Sequence, residues 1–332
     1  MKIRNLVYLS IFALYSLYPI TSEALEMSSV TVGANPWAIG INPNTNMVYV
    51  TNNGNDTVSV VDGSTNTVFA NVTVGAYPSG LAVNPETNTI YVARFPSSAV
   101  SVINGSTNAV TATVSVGKFP SGVAVNPETN TIYVTNSISN TVSVINGQTN
   151  TISANVTVGS HPAGVAVNPL NSRVYVANNV GGTISIIDGT TNTVSANVTV
   201  GANPAGVAIN KVTDTIYVSN SSDGTLSVIN GSTNAVSATI PVGTHTFAIA
   251  VNPSNGIIYT ANDTPGILYI VSLDSDSQIL SPLQQVHTGV KPTQVTCHSG
   301  LELVLKQSNG DPVCVKPNNL EKLLSRGWAI RI

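Results

Sequence analysis

From Ser28 onward, apolar positions fall in short bursts between turn residues, and the bursts alternate rather than follow a helical spacing. The segment Gly75–Val116 shows the unit. "GAYPSG" is a turn, where glycine and proline set the backbone. "LAVN" is a short apolar strand, "PETN" turns, and "TIYVA" is a strand of β-branched and aromatic residues. "RFPSSA" is a loop, "VSVIN" alternates, "GSTNAV" turns, and "TATVSV" sets Thr and Ser against Ala and Val. Four short strands joined by tight turns predict one antiparallel four-stranded unit.

The unit repeats without slippage. The glycine of V-x-V-G falls at Gly33, Gly75, Gly117, Gly159, Gly201 and Gly243, each step being 42 residues. The asparagine of V-N-P (Asn42, Asn84, Asn126, Asn168, Asn210, Asn252) and the tyrosine of Y-V-T-N (Tyr49, Tyr91, Tyr133, Tyr175, Tyr217, Tyr259) keep the same step. A fixed strand-rich period of this length predicts a β-propeller with one blade per repeat. The first strand of each blade carries a small residue (Ala38, Gly80, Gly122, Gly164, Gly206, Ala248), as expected where blades converge on the axis.

Strand sets starting at Trp37, Ser79, Ser121, Ala163, Ala205 and Phe247 give six blades. "SSVTVG" at 28–33 matches the outer-strand text "ANVTVG" at 70–75, so it is expected to complete the last blade and close the ring, hiding two sheet edges. A seventh blade is the alternative, because Gly289-Val290-Lys291-Pro292 echoes the G-x-x-P turn and "TQVTC", "LELVLK" and "PVCVK" supply strand text. The step of 46 from Gly243 to Gly289 and the break "SDSQILSPLQQ" favour six.

Only 8% of residues are charged, yet beyond the N-terminus no apolar run approaches the roughly 20 residues of a spanning helix. Lys2 and Arg4, then the apolar Leu6–Tyr18 and the site Ser22-Glu23-Ala24, read as a secretory signal over 1–24, with retention as an anchor as the alternative. The chain is therefore expected at the cell surface or outside it. Between Leu25 and Leu280 four cations (Arg94, Lys118, Arg173, Lys211) face eleven carboxylates, which excludes a phosphate-tracking nucleic-acid surface. After 274–290, read as a linker, residues 291–332 form a small basic α+β module with a short helix over Asn318–Ser325, stopped by Gly327. Its cysteines, Cys297 and Cys314, read as a disulfide that staples a module with little core.

The text "NPETNTIYVTN…TVSVINGQTN" at 126–150 resembles the YVTN family of β-propeller repeats, known from archaeal surface-layer proteins and bacterial exported proteins. The resemblance covers about 28–273, with departures at Arg94 for Asn, Lys211 for Pro and Thr260 for Val. The C-terminal pattern C-x-x-G-L-x-L-V-x-K, P-x-C-V-K-P and R-G-W is similar to a module appended to exported archaeal proteins. That recurrence implies an address or anchoring role.

Asn-x-Ser/Thr sequons at Asn55, Asn71, Asn104, Asn155, Asn197, Asn220, Asn230 and Asn262 are candidate N-glycosylation sites. Against the constant scaffold, the G-x-x-P turn varies: Asn35, Tyr77, Phe119, His161, Asn203 and His245, with Trp37 and Phe247 beside it. These eight are expected on one face about the axis, as a ring for a glycan or other ligand or simply as variable loop residues. No H-E-x-x-H, G-x-S-x-G, paired-acid or phosphate-loop pattern occurs, and no metal, cofactor or catalytic residue is expected. The chain reads as a non-enzymatic surface propeller that binds an envelope protein or glycan. The alternatives are a purely structural surface-layer component and, third, a lyase or quinone-dependent oxidoreductase.

Overall fold

The computed structural model describes residues 29–253, 255–262, 266–272, 291–294, 302–306, 311–315, 324 and 329–331. The architecture is all-β, with six antiparallel sheets side by side in a propeller ring. Blade 1 consists of Pro36–Asn42, Met47–Asn52, Thr57–Asp62 and Thr67–Thr73, paired in chain order from the axis outward. Blades 2 to 5 repeat this meander, with inner strands Pro78–Asn84, Pro120–Asn126, Pro162–Asn168 and Pro204–Asn210. Blade 6 has three strands among the described residues, Thr246–Val251, Ile258–Asn262 and Leu268–Val271. Inner strands thus begin one residue before the expected starts.

Each repeated residue has a structural task. Asparagines at the ends of tight turns (Asn46, Asn66, Asn88, Asn108, Asn130, Asn150, Asn192 and Asn234) hold φ between 49° and 57°, the left-handed region that Asn tolerates best after glycine. The V-N-P asparagine closes its own turn and ties blades together. Asn42 Oδ1 accepts from Asn44 N at 3.0 Å, and its Nδ2 donates to Asn88 Oδ1 of blade 2 at 2.8 Å. Asn84 reaches Asn130 in the same way at 2.7 Å. In blades 1, 3 and 4 the asparagine of Y-V-T-N starts a buried polar ladder across the blade. Asn136 Nδ2 donates to Ser143 Oγ at 2.9 Å, and Ser143 Oγ donates to Asn155 Oδ1 at 2.8 Å.

The blades are joined by apolar cores. Five clusters fill the junctions from blade 1–2 through blade 5–6, each pairing the Tyr and Val side of one blade with the Leu, Ile and Val side of the next. At the axis the glycines permit close approach: a Cβ on Gly80 would lie 2.0 Å from Ser121 O of blade 3.

The junction between blades 6 and 1 differs. Among the described residues no apolar cluster joins them and their inner strands do not pack as the other neighbours do. Ile39 is 68% exposed, whereas its repeat equivalent Leu81 is 9% exposed; across the junction Ile270 is 63% exposed, against 1% for Val228. The strand expected to close the ring is not formed: Ser29–Val32 pair with no sheet, and Ser28 lies outside the described residues. Two features account for this. The third strand of blade 6, Leu268–Val271, is four residues long, against six in blades 1 to 5. Tyr269 also stands where Ser59, Ser143 and Ser185 hold the outer strand through the ladder.

In the C-terminal region, Glu302–Lys306 is the middle strand of three, flanked by Pro312–Val315 and Ala329–Arg331. A blade places its strands in chain order, so this sheet is not a seventh blade, and "TQVTC" opens in a 3-10 turn at Pro292–Gln294 rather than a strand. The signal segment, the linker at 274–290, Cys297 and the helix expected at 318–325, apart from residue 324, lie outside the described residues.

Candidate ligand-binding face

Because strands alternate in direction, the start of the inner strand and the loop between the second and third strands share one end of each blade. The G-x-x-P turns therefore gather on one face. The variable residue of each turn has the same backbone conformation: φ is 51° at Asn35, 52° at Tyr77, 56° at Phe119, 51° at His161, 54° at Asn203 and 58° at His245. A left-handed φ is comfortable for Asn and strained for an aromatic residue. Hydrogen bonds fix it. Tyr77 N donates to Asp56 Oδ1 at 2.9 Å and His161 N to Asn140 Oδ1 at 2.8 Å, both acceptors belonging to the preceding blade. The carbonyls of Asn35, Tyr77, Phe119, His161 and Asn203 accept from Asn53, Phe95, Ser137, Asn179 and Ser221 at 3.0–3.1 Å, locking each turn over its own blade.

The side chains stand in solvent. Tyr77 is 56% exposed and Trp37 73%, while Phe119, Phe247, Asn35, His161 and His245 are also exposed and Asn203 is half-buried. Trp37 and Phe247 take the slot that Ser79, Ser121, Ala163 and Ala205 fill in the blades between them. Asn203 is bound by its own neighbours, Asn179 Oδ1 at 3.2 Å and Ser222 Oγ at 3.0 Å. Among the described residues the one direct aromatic contact is between Phe119 and Phe95, edge to face with centroids 4.8 Å apart and planes at 88°. Phe95 was not among the sequence candidates, although it fills a slot that is Asn53, Ser137, Asn179 or Ser221 in other repeats.

Six of the eight sequon asparagines, Asn55, Asn71, Asn104, Asn155, Asn197 and Asn230, are exposed. Asn71, Asn155 and Asn197 accept from ladder serines through Oδ1. Asn220 is fully buried, its Nδ2 donating to Thr225 at 3.0 Å and Ser227 at 2.9 Å, and Asn262 is buried with Nδ2 donating to Thr244 O at 2.8 Å. Neither is available as an acceptor in the folded chain.

Titratable groups with displaced pKa values serve the scaffold. Burial pushes the Tyr91 hydroxyl up to about 12 and raises Tyr49, Tyr133 and Tyr175; the Asp188 carboxylate adds to the effect at Tyr133. Hydrogen bonds from the Ser64 hydroxyl and amide lower Asp62, and those from Thr190 lower Asp188, in exposed turns. Among the described residues no three His, Cys, Asp or Glu side chains stand close enough together to hold a metal ion, and no helix is long and apolar enough to cross a membrane. A cleft of about 300 Å³ at the outer strands of blades 3 and 4, lined by Thr157, Thr183, Ser185, Val194 and Asn197 among others, contains no titratable side chain.

No protein-family model matches the chain, and no curated protein matches it. Among solved structures it is similar to Kuenenia stuttgartiensis Hydrazine Synthase, with a TM-score of 0.53 and 16% identity over 76% of this chain and 99% of that one. At that identity the likeness supports the six-bladed propeller fold and carries no chemistry across.

Proposed function

We propose that this is a non-enzymatic, exported cell-surface propeller whose G-x-x-P face binds a neighbouring envelope protein or glycan. One observation carries the reading. The turn needs a left-handed residue in every blade, and Asn35 and Asn203 meet that need at little strain, yet Tyr77, Phe119, His161 and His245 stand there instead. A strained aromatic ring turned to solvent, as at Tyr77, adds little to the fold, so its use is at the surface. The resemblance to YVTN repeats and the signal-like N-terminus support export and a surface address. Six exposed sequons support glycosylation where the host has the machinery. Cys314 has a single possible partner within the chain, Cys297, and a bridge between them would staple the C-terminal module.

A structural surface-layer role is the second reading, favoured by the unfilled faces of blades 1 and 6. Cross-linking mass spectrometry on intact cells of the native host decides between these readings and their failure. Cross-links from the G-x-x-P face to one envelope component support binding. Links confined to blades 1 and 6 of other copies support the structural role. Recovery of the protein without links, mostly in the medium, sinks both.

A further inference from the structure

Blade 1 lacks a neighbour on one side and blade 6 on the other, and the filled junctions show what each side is built to meet. Between blades 1 and 2, Leu81 and Val83 rest on Gly40 of blade 1, where a Cβ would press on a methyl of each. Both side chains join the apolar cluster of that junction. Their repeat equivalents in blade 1 are Ile39 and Ile41. These are 68% and 58% exposed. Val48 is half-buried, whereas its equivalents Ile90, Ile132 and Val174 are fully buried.

On blade 6 the bare side is the opposite one. Leu268 is 58% and Ile270 63% exposed, while their equivalents in blade 5, Leu226 and Val228, are buried in the cluster shared with blade 6. Ala250 occupies the place of Gly40 and is exposed, although Ala124 and Ala208 at the same position are buried. The six side chains Ile39, Ile41, Val48, Ala250, Leu268 and Ile270 carry no charge and no hydrogen-bonding group. Covering them therefore strips water from no polar side chain. Among the described residues of one chain the two faces do not meet.

We infer that a second copy of this chain docks its blade 6 on blade 1 of the first. Ile39 and Ile41 are then seated over Ala250, beside Leu268 and Ile270, as Leu81 and Val83 are seated over Gly40 within the chain. A second copy is the occupant that carries both matching surfaces, each already used in the internal junctions. This inference rests on the structural reading of blades 1 and 6, for which it names the partner and the pairing. It is independent of what the G-x-x-P face binds.

The two faces can be spoiled one at a time. Ile39→Glu puts an unpaired charge on the blade 1 face and Ile270→Glu on the blade 6 face, both at positions exposed in the single chain. Molar mass of the full chain is read by light scattering over a wide range of concentration, with thermal melting of the dilute protein as the fold control. The wild-type mass is expected to rise above that of one chain as concentration rises. Each variant alone is expected to stay at the mass of one chain, because it keeps only one sound face. An equimolar mixture is expected to form pairs and stop there: the blade 6 face of the Ile39→Glu variant meets the blade 1 face of the Ile270→Glu variant. A wild type that stays at one chain throughout overturns the inference, whether the ring closes on itself or another segment of the chain covers the faces. So does association of either variant alone, or a mixture that forms no pairs. A large fall in melting temperature in both dilute variants means that the faces meet within one chain, and overturns it too. After any of these failures, the cross-links in cells still decide the wider structural role.

Discussion

The hydroxyl of Thr135 joins two blades: it donates to Ala163 O of blade 4 at 2.7 Å and accepts from Gly122 N of its own blade at 2.8 Å. The inner strand bulges between Pro120 and Val123, where its pairing with the second strand shifts register, and the hydroxyl serves backbone groups that the ladder leaves out. Thr51 and Ser219 make the same link, to Ser79 O at 3.0 Å and Phe247 O at 3.3 Å. Thr135→Val keeps the shape and removes both bonds, so it should cost about 1–3 kcal/mol, while Thr135→Ser should cost under 1 kcal/mol. Urea unfolding of the two variants checks this. Equal stability of Val and Ser would show that the link contributes nothing.

Glycines at the axis should not be equivalent. A Cβ on Gly80 would press on the Ser121 carbonyl 2.0 Å away, which is backbone and cannot yield, whereas one on Gly40 would meet a Leu81 methyl at 2.3 Å, which can swing aside. Gly80→Ala is therefore expected to lose about 3 kcal/mol or more and Gly40→Ala markedly less. Melting temperatures of the pair would reveal a failure of the argument if their order were reversed.

Replacing strained residues of the G-x-x-P turns should stabilise the fold. Tyr77→Asn keeps the left-handed conformation at φ 52° in a residue that favours it, with an expected gain of about 0.5–1 kcal/mol. Denaturant midpoints would show it, and a loss of stability would mean that the Tyr77 ring packs for the fold's benefit after all.

The buried tyrosines set the alkaline limit. Their folded pKa values lie above the ordinary value of 10.0, so the native state holds protons that the unfolded chain releases. The associated stability is fully present below about pH 10 and is lost as pH rises toward the folded value of about 12 at Tyr91. Absorbance at 295 nm should show the buried set, Tyr49, Tyr91, Tyr133 and Tyr175, ionising only as the fold opens. Smooth titration of all eleven tyrosines near pH 10 with the fold intact would contradict the burial.

Architecture was legible because the repeat writes its scaffold residues many times over. Asn42, Tyr49 and Gly80 recur for reasons of turn geometry, core burial and close approach, and a period of 42 fixes a blade without reference to any distant contact. The site was legible only in part. Tyr77 and Phe119 declared themselves by varying against a constant background, but their left-handed backbone is invisible in a residue name. Phe95 went unread because its slot varies among polar residues in other blades, and its meeting with Phe119 is a contact across blades. The closing strand at 28–33 was read from text that matches an outer strand, although what it must pair with, Leu268–Val271, is short and carries Tyr269 in place of the ladder serine.

That unpaired junction gives the chain two unlike ends that fit each other. Blade 1 presents the side that receives a preceding blade, and blade 6 the side that a following blade covers, as the five filled junctions demonstrate in between. Such a contact is heterologous: satisfied within one chain it seals a unit of fixed size, and satisfied between chains it propagates. Which state prevails is a contest between the effective concentration of a chain's own ends and the bulk concentration of its neighbours. Dilution favours the first term and crowding the second, so the open faces of blades 1 and 6 make the balance between them a function of concentration.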